Sequence, residues 1–200
     1  MVSNLSDVEL LMAFASLPND FVVIDTETTD LIKGDDIPDM VTLGIAVVEN
    51  GAVFEPIEYS CRPSRSIHPL AENVHGISDA VAASFPPLAT HWPAIQALLN
   101  DQTVVMHNAE FDWTVLQYTA IKNQLPPPQP SALFCSQKNS IQWAHKVGVG
   151  GSRRGPSLDA LTEYFGIEDH RQRLNGIHSA AHDAWQTACV VTRLIELSKR

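Results

Sequence analysis

Positive charge is scarce in this 200-residue chain, which carries 13 Lys and Arg against 23 Asp and Glu, for a formal net charge of −10. A balance of that sign argues against a broad basic surface for gripping nucleic acid. The shortage is uneven: residues 1–121 hold 17 acids and only Lys33, Arg62 and Arg65, whereas residues 122–200 hold 10 bases and 6 acids. A polarised surface and ordinary solubilising charge both account for that split. Cysteine is sparse too. Cys61, Cys135 and Cys189 lie far apart without a C-x-x-C spacing, which argues against a disulfide frame or zinc site and for reduced thiols in a cytoplasmic protein. No apolar run approaches the roughly 20 residues of a membrane span, so no membrane association is expected. No base precedes Lys33, so the apolar stretch Leu10–Leu17 lacks the charged flank of a secretory signal. What the chain does have is a core, with 44% hydrophobic and 18% charged residues. Length and composition imply a single domain over residues 1–200, with residues 1–18 as an N-terminal helical extension.

The hydrophobic pattern divides the chain into short apolar runs and amphipathic segments without internal repeats. Residues 7–17 place Val8, Leu11, Met12 and Ala15 on one helical face, with Ser6 or Asp7 as cap. Phe21–Asp25 reads as a buried strand, Val41–Glu49 as a second, and Ala52–Cys61 as a third after the hairpin signal Asn50 and Gly51. Residues 63–102 are punctuated by prolines and suggest short helices, with Leu88–Leu99 the longest. Thr103–His107 is another buried strand, followed by a helix over Asn108–Ile121 capped by Asn108. Residues 132–135 are strand-like, and helices are expected at about 137–146, 157–165 and 179–198. Gly148–Gly155 reads as a flexible basic linker. Strands grouped at the start and then separated by helices imply an α/β domain with a mixed sheet.

Four carboxylates sit where packing alone would not put them. Asp25 ends an apolar strand and Glu27 follows two residues later, so the strand period of two sends both to one face. Asp112 lies one turn into the helix after the fourth strand, beside inward-facing Phe111. Asp183 falls among Ala180, Ala181 and Ala184 near the start of the last helix. Half-buried acids with no arginine nearby in sequence need another partner, and a divalent cation supplies it. Hard cations such as Mg²⁺ or Mn²⁺ take oxygen ligands. Two of them about 4 Å apart activate water and stabilise the leaving oxygen of a phosphodiester. A solvated acid or a helix cap explains any one of these residues equally simply, above all Asp183.

His178 and His182 are rival proton acceptors beside Asp183. On one continuous helix His178 and Asp183 would diverge by about 140°. They converge if His178 lies in the preceding loop and Ser179 begins the helix, placing Asp183 in its first turn. A loop histidine there can take a proton from an attacking water. Helix geometry points His182 away from the side chain of Asp183.

Taken in order, these stretches resemble the DnaQ-like, or DEDDh, family of 3′→5′ exonucleases on the ribonuclease-H-like fold. Val23–Thr29 (VIDTETT) resembles its first motif, His107–Asp112 (HNAEFD) its second, and His178–Asp183 (HSAAHD) its third. Val74–Ile77 and Ser157–Leu161 resemble intervening signposts, and the resemblance covers residues 21–190. It implies an α/β mixed sheet of about five strands flanked by helices. It further implies that Asp25, Glu27, Asp112 and Asp183 hold two Mg²⁺ or Mn²⁺ ions with His178 as general base. The reaction implied is hydrolytic release of nucleoside 5′-monophosphates from a nucleic-acid 3′ end, single-stranded DNA or RNA. Thr28 would lie near the ribose, Val74 and His75 by the base, and Phe111 stacked on it, although Phe111 also reads as ordinary core. Stacking on an aromatic contributes about 1–3 kcal/mol per base and tolerates any base. Two positions depart from the family pattern: Asp30 stands where Gly is usual, and Thr42 where many relatives carry Glu. Neither removes a metal-tetrad residue.

The resemblance also allows a DNA polymerase or another replication or repair protein as partner. A non-catalytic nucleic-acid- or polymerase-binding module on the same fold is the alternative, which loss of one of the five residues would favour. The Gly148–Gly155 segment lacks the G-x-x-x-x-G-K-[ST] pattern of a phosphate-binding loop and does not follow a clear strand. Lys146, Arg153 and Arg154, extended by Arg171 and Arg173, instead suggest a narrow phosphate track. A mobile solvated loop is the other reading.

Overall fold

The first apolar run extends as one strand from Phe21 through Thr28 (β1) in the computed structural model, which describes residues 5–169 and 176–200. β1 pairs antiparallel with β2 (Met40–Glu49) and parallel with β5 (Thr103–Met106), which pairs parallel with β6 (Ala132–Cys135). Two short strands, β3 (Ala52–Val53) and β4 (Ile57–Ser60), lie end to end along the outer edge of β2 and complete a six-stranded mixed sheet.

Residue alternation assigns the two faces of the sheet. Phe21 and Val23 of β1, with Ala46 and Val48 of β2, pack against Ala184, Val191 and Leu194 of the last helix, α9 (Ala180–Ser198). Val22 and Ile24, with Leu43 and Ile45, pack on the other face against α5 (Trp92–Leu99) and α6 (Ala109–Lys122). Each Val, Leu, Ile or Phe among them contributes about 1.5–3 kcal/mol when fully buried. α7 (Ser136–Val147) and α8 (Leu158–Phe165) add Trp143 and Leu161 to the α9 side. Two short helices, α3 (Pro69–His75) and α4 (Asp79–Ala82), occupy the proline-punctuated middle, where a 3₁₀ turn at Leu88–Thr90 precedes α5. Among the described residues no helix is long and apolar enough to cross a membrane.

Four local expectations change. The N-terminal helix breaks at Leu11 (φ −110°, ψ 15°) into α1 (Asp7–Leu10) and α2 (Met12–Ala15). The break turns Leu10, Leu11, Phe14 and Leu17 into the core and leaves Val8 and Met12 exposed. The third strand divides because Pro56 cannot donate to a ladder. Its register moves by one residue, so Val48 faces Val53 while Ile45 faces Ile57. Gly148–Gly155 is less open than a linker, since β7 (Gly151–Ser152) and β8 (Gly155–Pro156) form a small ribbon. Asn108 occupies the cap position of α6 without a side-chain capping bond.

Candidate active site

The carboxyl ends of the parallel strands β1 and β5 carry the first two motifs. Asp25 faces Gly44 across the ladder and Glu27 faces Thr42, so both acids point to the α9 side. A register shift after Glu27 ends the regular pairing there; such bulges often re-aim side chains beside functional sites. Thr26 points to the opposite side and fastens Asp112. Its backbone N–H (3.2 Å) and its hydroxyl (2.8 Å) both donate to Asp112 Oδ1. Asp112 is thereby fixed, buried, in the first turn of α6.

The third motif arrives because α9 begins directly on β2. A Cβ on Gly44 would overlap the Ala180 carbonyl and the Ala181 nitrogen, so only glycine admits this approach. Ser179 is the N-cap residue and His178 lies in the turn before it. The Asp183 N–H donates to the Ser179 carbonyl at 2.9 Å, placing Asp183 in the first turn, the arrangement that lets His178 and Asp183 converge. His178 Nδ1 is 3.1 Å from Asp183 Oδ2, and the His178 N–H donates to the Val74 carbonyl of α3 at 2.9 Å. Ligand atoms of Glu27, His178 and Asp183 all lie within 4.8 Å of one another. Among the described residues that compact group includes neither Asp25 nor Asp112, nor His182.

The electrostatics are those of acids crowded out of water. Burial, reinforced by the charge of Asp183, pushes the Glu27 carboxyl up to about 8. Burial raises Asp112 to about 7, against the opposing bonds from Thr26. Asp183 Oδ1 is buried and, among the described residues, has no hydrogen-bond partner. An orphaned carboxylate oxygen facing other acids fits a hard divalent cation, which takes oxygen donors and supplies the missing positive charge.

A cavity of about 290 Å³ adjoins this cluster, and Glu27, Thr28, Val74, His75 and Phe111 all line it. The four residues expected to surround a terminal nucleotide thus share one cavity with a cluster acid. His75 is a strut within its wall. The Ile77 N–H donates to Nδ1 at 3.1 Å, so Nε2 carries the hydrogen and donates to the Thr28 carbonyl at 3.2 Å. Burial lowers its pKa and keeps the ring neutral. Phe111 packs partly against the α5–α6 core and also lines the cavity.

Leu31 and Phe111 join that cavity to a second groove of about 750 Å³, also lined by Lys138, Arg153 and Arg154. The β7–β8 ribbon presents the two arginines. Its Pro156 carbonyl accepts from Gln137 Nε2 (3.1 Å) and lies 3.0 Å from His107 Nε2, while His107 Nδ1 is 3.0 Å from the Ser136 hydroxyl. Lys146 does not join the track; it pairs with Asp7 at 2.7 Å and the Leu5 carbonyl at 2.9 Å, holding the N-terminal segment. Arg171 and Arg173 lie outside the described residues.

Sequence reasoning missed Gly44, Glu58 and Lys138. A glycine inside the apolar run VTLGIAVVE is a signal of close backbone approach. Glu58 carries no such signal, because its position depends on the register shift at Pro56. Its Oε2 accepts from the Ser179 hydroxyl at 2.9 Å and the Ala181 N–H at 3.2 Å.

Known proteins resemble this chain over most of its length. A family model described as "Exonuclease" (RNase_T) matches residues 22–191. A "DNA polymerase III subunit epsilon-like protein" of Rhodobacter capsulatus is 31% identical over 197 residues, covering 94% of this chain and 26% of its own length. The DNA polymerase III subunit epsilon of Escherichia coli is 27% identical over 164 residues, covering 78% of this chain and 64% of its own. The chain thus spans less than two thirds of the length of these curated relatives. Among solved structures, exonuclease X in complex with 5′-overhanging duplex DNA superposes with a TM-score of 0.62 at 25% identity, over 90% of this chain and 93% of that one.

Proposed function

The chain belongs to the exonuclease family whose model spans residues 22–191, and from that membership we propose that it is a divalent-metal-dependent 3′→5′ exonuclease releasing nucleoside 5′-monophosphates from single-stranded DNA or RNA. The observation that carries the reading is the convergence of Glu27, His178 and Asp183 within 4.8 Å beside a cavity lined by Thr28, Val74, His75 and Phe111.

Asp25, Glu27, Asp112 and Asp183 are the residues that would hold two Mg²⁺ or Mn²⁺ ions. Such a pair supplies an activated water and stabilises the leaving oxygen of the phosphodiester. The protein's own groups do the rest. Thr26 holds the Asp112 carboxylate in a fixed orientation beside the cluster. Asp183 Oδ2 lies 3.1 Å from His178 Nδ1, a contact that would orient the ring and supports Nε2 as the atom that takes the proton of the attacking water. His178 is part-exposed, with 35% of its side chain accessible, so water reaches it. The cavity receives the 3′-terminal nucleotide, with Phe111 against the base and Thr28 by the sugar. The adjoining groove leads the upstream strand past Arg153 and Arg154. Relatives named as DNA polymerase III subunits support a replication or repair partner, and reduced cysteines suit a cytoplasmic setting.

Incubating the protein with a 3′-labelled single strand tests this reading. Labelled mononucleotide should appear with Mg²⁺ or Mn²⁺ and not with chelator. A protein that binds the strand yet releases nothing in either metal would be a binding module instead. Matched DNA and RNA oligonucleotides in the same assay decide the sugar preference, which rests on a 2′-OH contact.

A further inference from the structure

The start of α9 is gripped from a side that the catalytic cluster does not occupy. Three strands set Asp25, Gly44 and Glu58 in one cross-strand row, Asp25 facing Gly44 and Gly44 facing Glu58. The middle position has no side chain, and the first turn of α9 rests on it. An acid therefore stands on each side of the helix start. Glu58 takes both donors presented on its side, the Ser179 hydroxyl and the Ala181 N–H.

That arrangement replaces an ordinary helix cap. An N-cap serine usually turns its hydroxyl to a backbone N–H of its own first turn, and the Ser179 hydroxyl does not. A carboxylate from β4 does the capping instead, where the positive end of the helix dipole favours it. Ser179 is the hinge between His178 and the helix carrying Asp183, whose N–H bonds to the Ser179 carbonyl. Fixing Ser179 therefore fixes the orientation of both residues. The register shift at Pro56 makes the contact possible: continued from the Val48–Val53 pair without it, the ladder would set Ile57 opposite Gly44.

We infer that Glu58 is a positioning residue, which holds His178 and Asp183 in register with Glu27 by capping α9 from the neighbouring strand. The inference rests on the reading that these residues form a metal-dependent centre. Glu58 itself is exposed, forms no part of the compact ligand group, and acts through Ser179.

Calorimetric titration with Mn²⁺ alone, run on wild type, Glu58→Ala and Glu58→Gln, reads the metal centre without reference to turnover. Glu58→Ala should weaken Mn²⁺ binding by up to about 10-fold, the lower end of the scale for groups bonded directly to a metal ligand, because Glu58 acts through Ser179. Its kcat on a 3′-labelled strand should fall with little change in KM. Glu58→Gln keeps an acceptor oxygen at the helix start and should recover most of both losses. Wild-type Mn²⁺ affinity and kcat in folded Glu58→Ala would overturn the inference, even if its melting temperature fell. A Glu58→Gln variant as impaired as Glu58→Ala would overturn it too, by assigning the effect to charge rather than capping. A wild type that hydrolyses nothing, while its Mn²⁺ affinity still depends on Glu58, would remove the exonuclease reading and leave the positioning role.

Discussion

Glu27 and Asp39 are both buried acids, and their surroundings push them in opposite directions. Burial and the charge of Asp183 raise Glu27 from 4.5 to about 8. Burial acts on Asp39 as well, but it is outweighed by bonds from Lys122 (2.5 Å) and from the Ser64 hydroxyl and N–H, so its pKa falls below 3.8. The linkage signs follow. Between 4.5 and about 8 the folded protein holds a proton on Glu27 that the unfolded chain releases, so metal-free stability falls as pH rises through that window. Asp39 contributes stability above 3.8 that is lost as pH falls through its depressed folded value. In chelator, the melting temperature of wild type should therefore drop from pH 5.5 to pH 8, and Glu27→Gln should flatten that drop. Added Mg²⁺ should raise the wild-type melting temperature more at pH 8 than at pH 5.5, because an ion that binds only the folded state stabilises it. The same Glu27→Gln variant should lose about 100-fold or more in kcat, the scale of removing an electrostatic stabiliser of the transition state. Thermal denaturation with and without Mg²⁺, paired with a turnover assay, checks all three. A wild-type melting temperature flat across that range in chelator would contradict a Glu27 carboxyl kept protonated by burial. Glu27 was legible in the sequence because an acid two residues beyond the charged end of an apolar strand conflicts with local packing, whereas Asp39 closes a polar stretch and carries no such signal.

At the scale of secondary structure, legibility depended on how local the cause was. β1, β2, β5, α6 and α9 announced themselves because their hydrophobic period is set by the face they bury. The N-terminal break at Leu11 and the one-residue shift at Pro56 did not, because a single dihedral or bulge decides which side chains turn inward. Gly44 lies between these cases: its presence was visible, whereas the helix it admits comes from a segment 136 residues later, at Ala180. Gly44→Ala should push the start of α9 off β2, costing about 1–3 kcal/mol of stability as overpacking does. Its Mn²⁺ affinity should fall with it; retention of wild-type affinity would show that α9 can recede without moving Asp183. The β7–β8 ribbon makes a separate prediction. With Pro156 held by Gln137 and close to His107, Arg153 and Arg154 are carried on an anchored ribbon beside the groove. Replacing both by alanine should reduce the slope of log K against log salt by about 0.7 for each phosphate that the pair neutralises on a single strand. An unchanged slope in anisotropy titrations would return the ribbon to a solvated loop.

For the whole molecule, the scarcity of positive charge becomes a statement about order of binding. Residues 1–121, which contribute Asp25, Glu27 and Asp112, carry a net −14, whereas the groove arginines belong to the remainder, which carries +4. Without metal, a strand that reaches the cavity brings its terminal phosphates toward crowded carboxylates. On the proposed reading, two bound divalent ions would leave the molecule near −6, with their charge beside the scissile phosphate. Metal should accordingly govern binding of the 3′ end as well as cleavage. In chelator, affinity for a labelled single strand should fall about 10-fold relative to Ca²⁺, a hard cation offered as a binding probe. Above pH 8, where the Glu27 carboxyl is ionised even without metal, Glu27→Gln should recover part of that loss in chelator, and Arg153→Ala/Arg154→Ala should lose affinity in both conditions. Anisotropy measured at constant ionic strength separates this local effect from general screening. Equal affinity in chelator and Ca²⁺ would mean that the groove alone holds the strand, with the acidic centre reached only after binding.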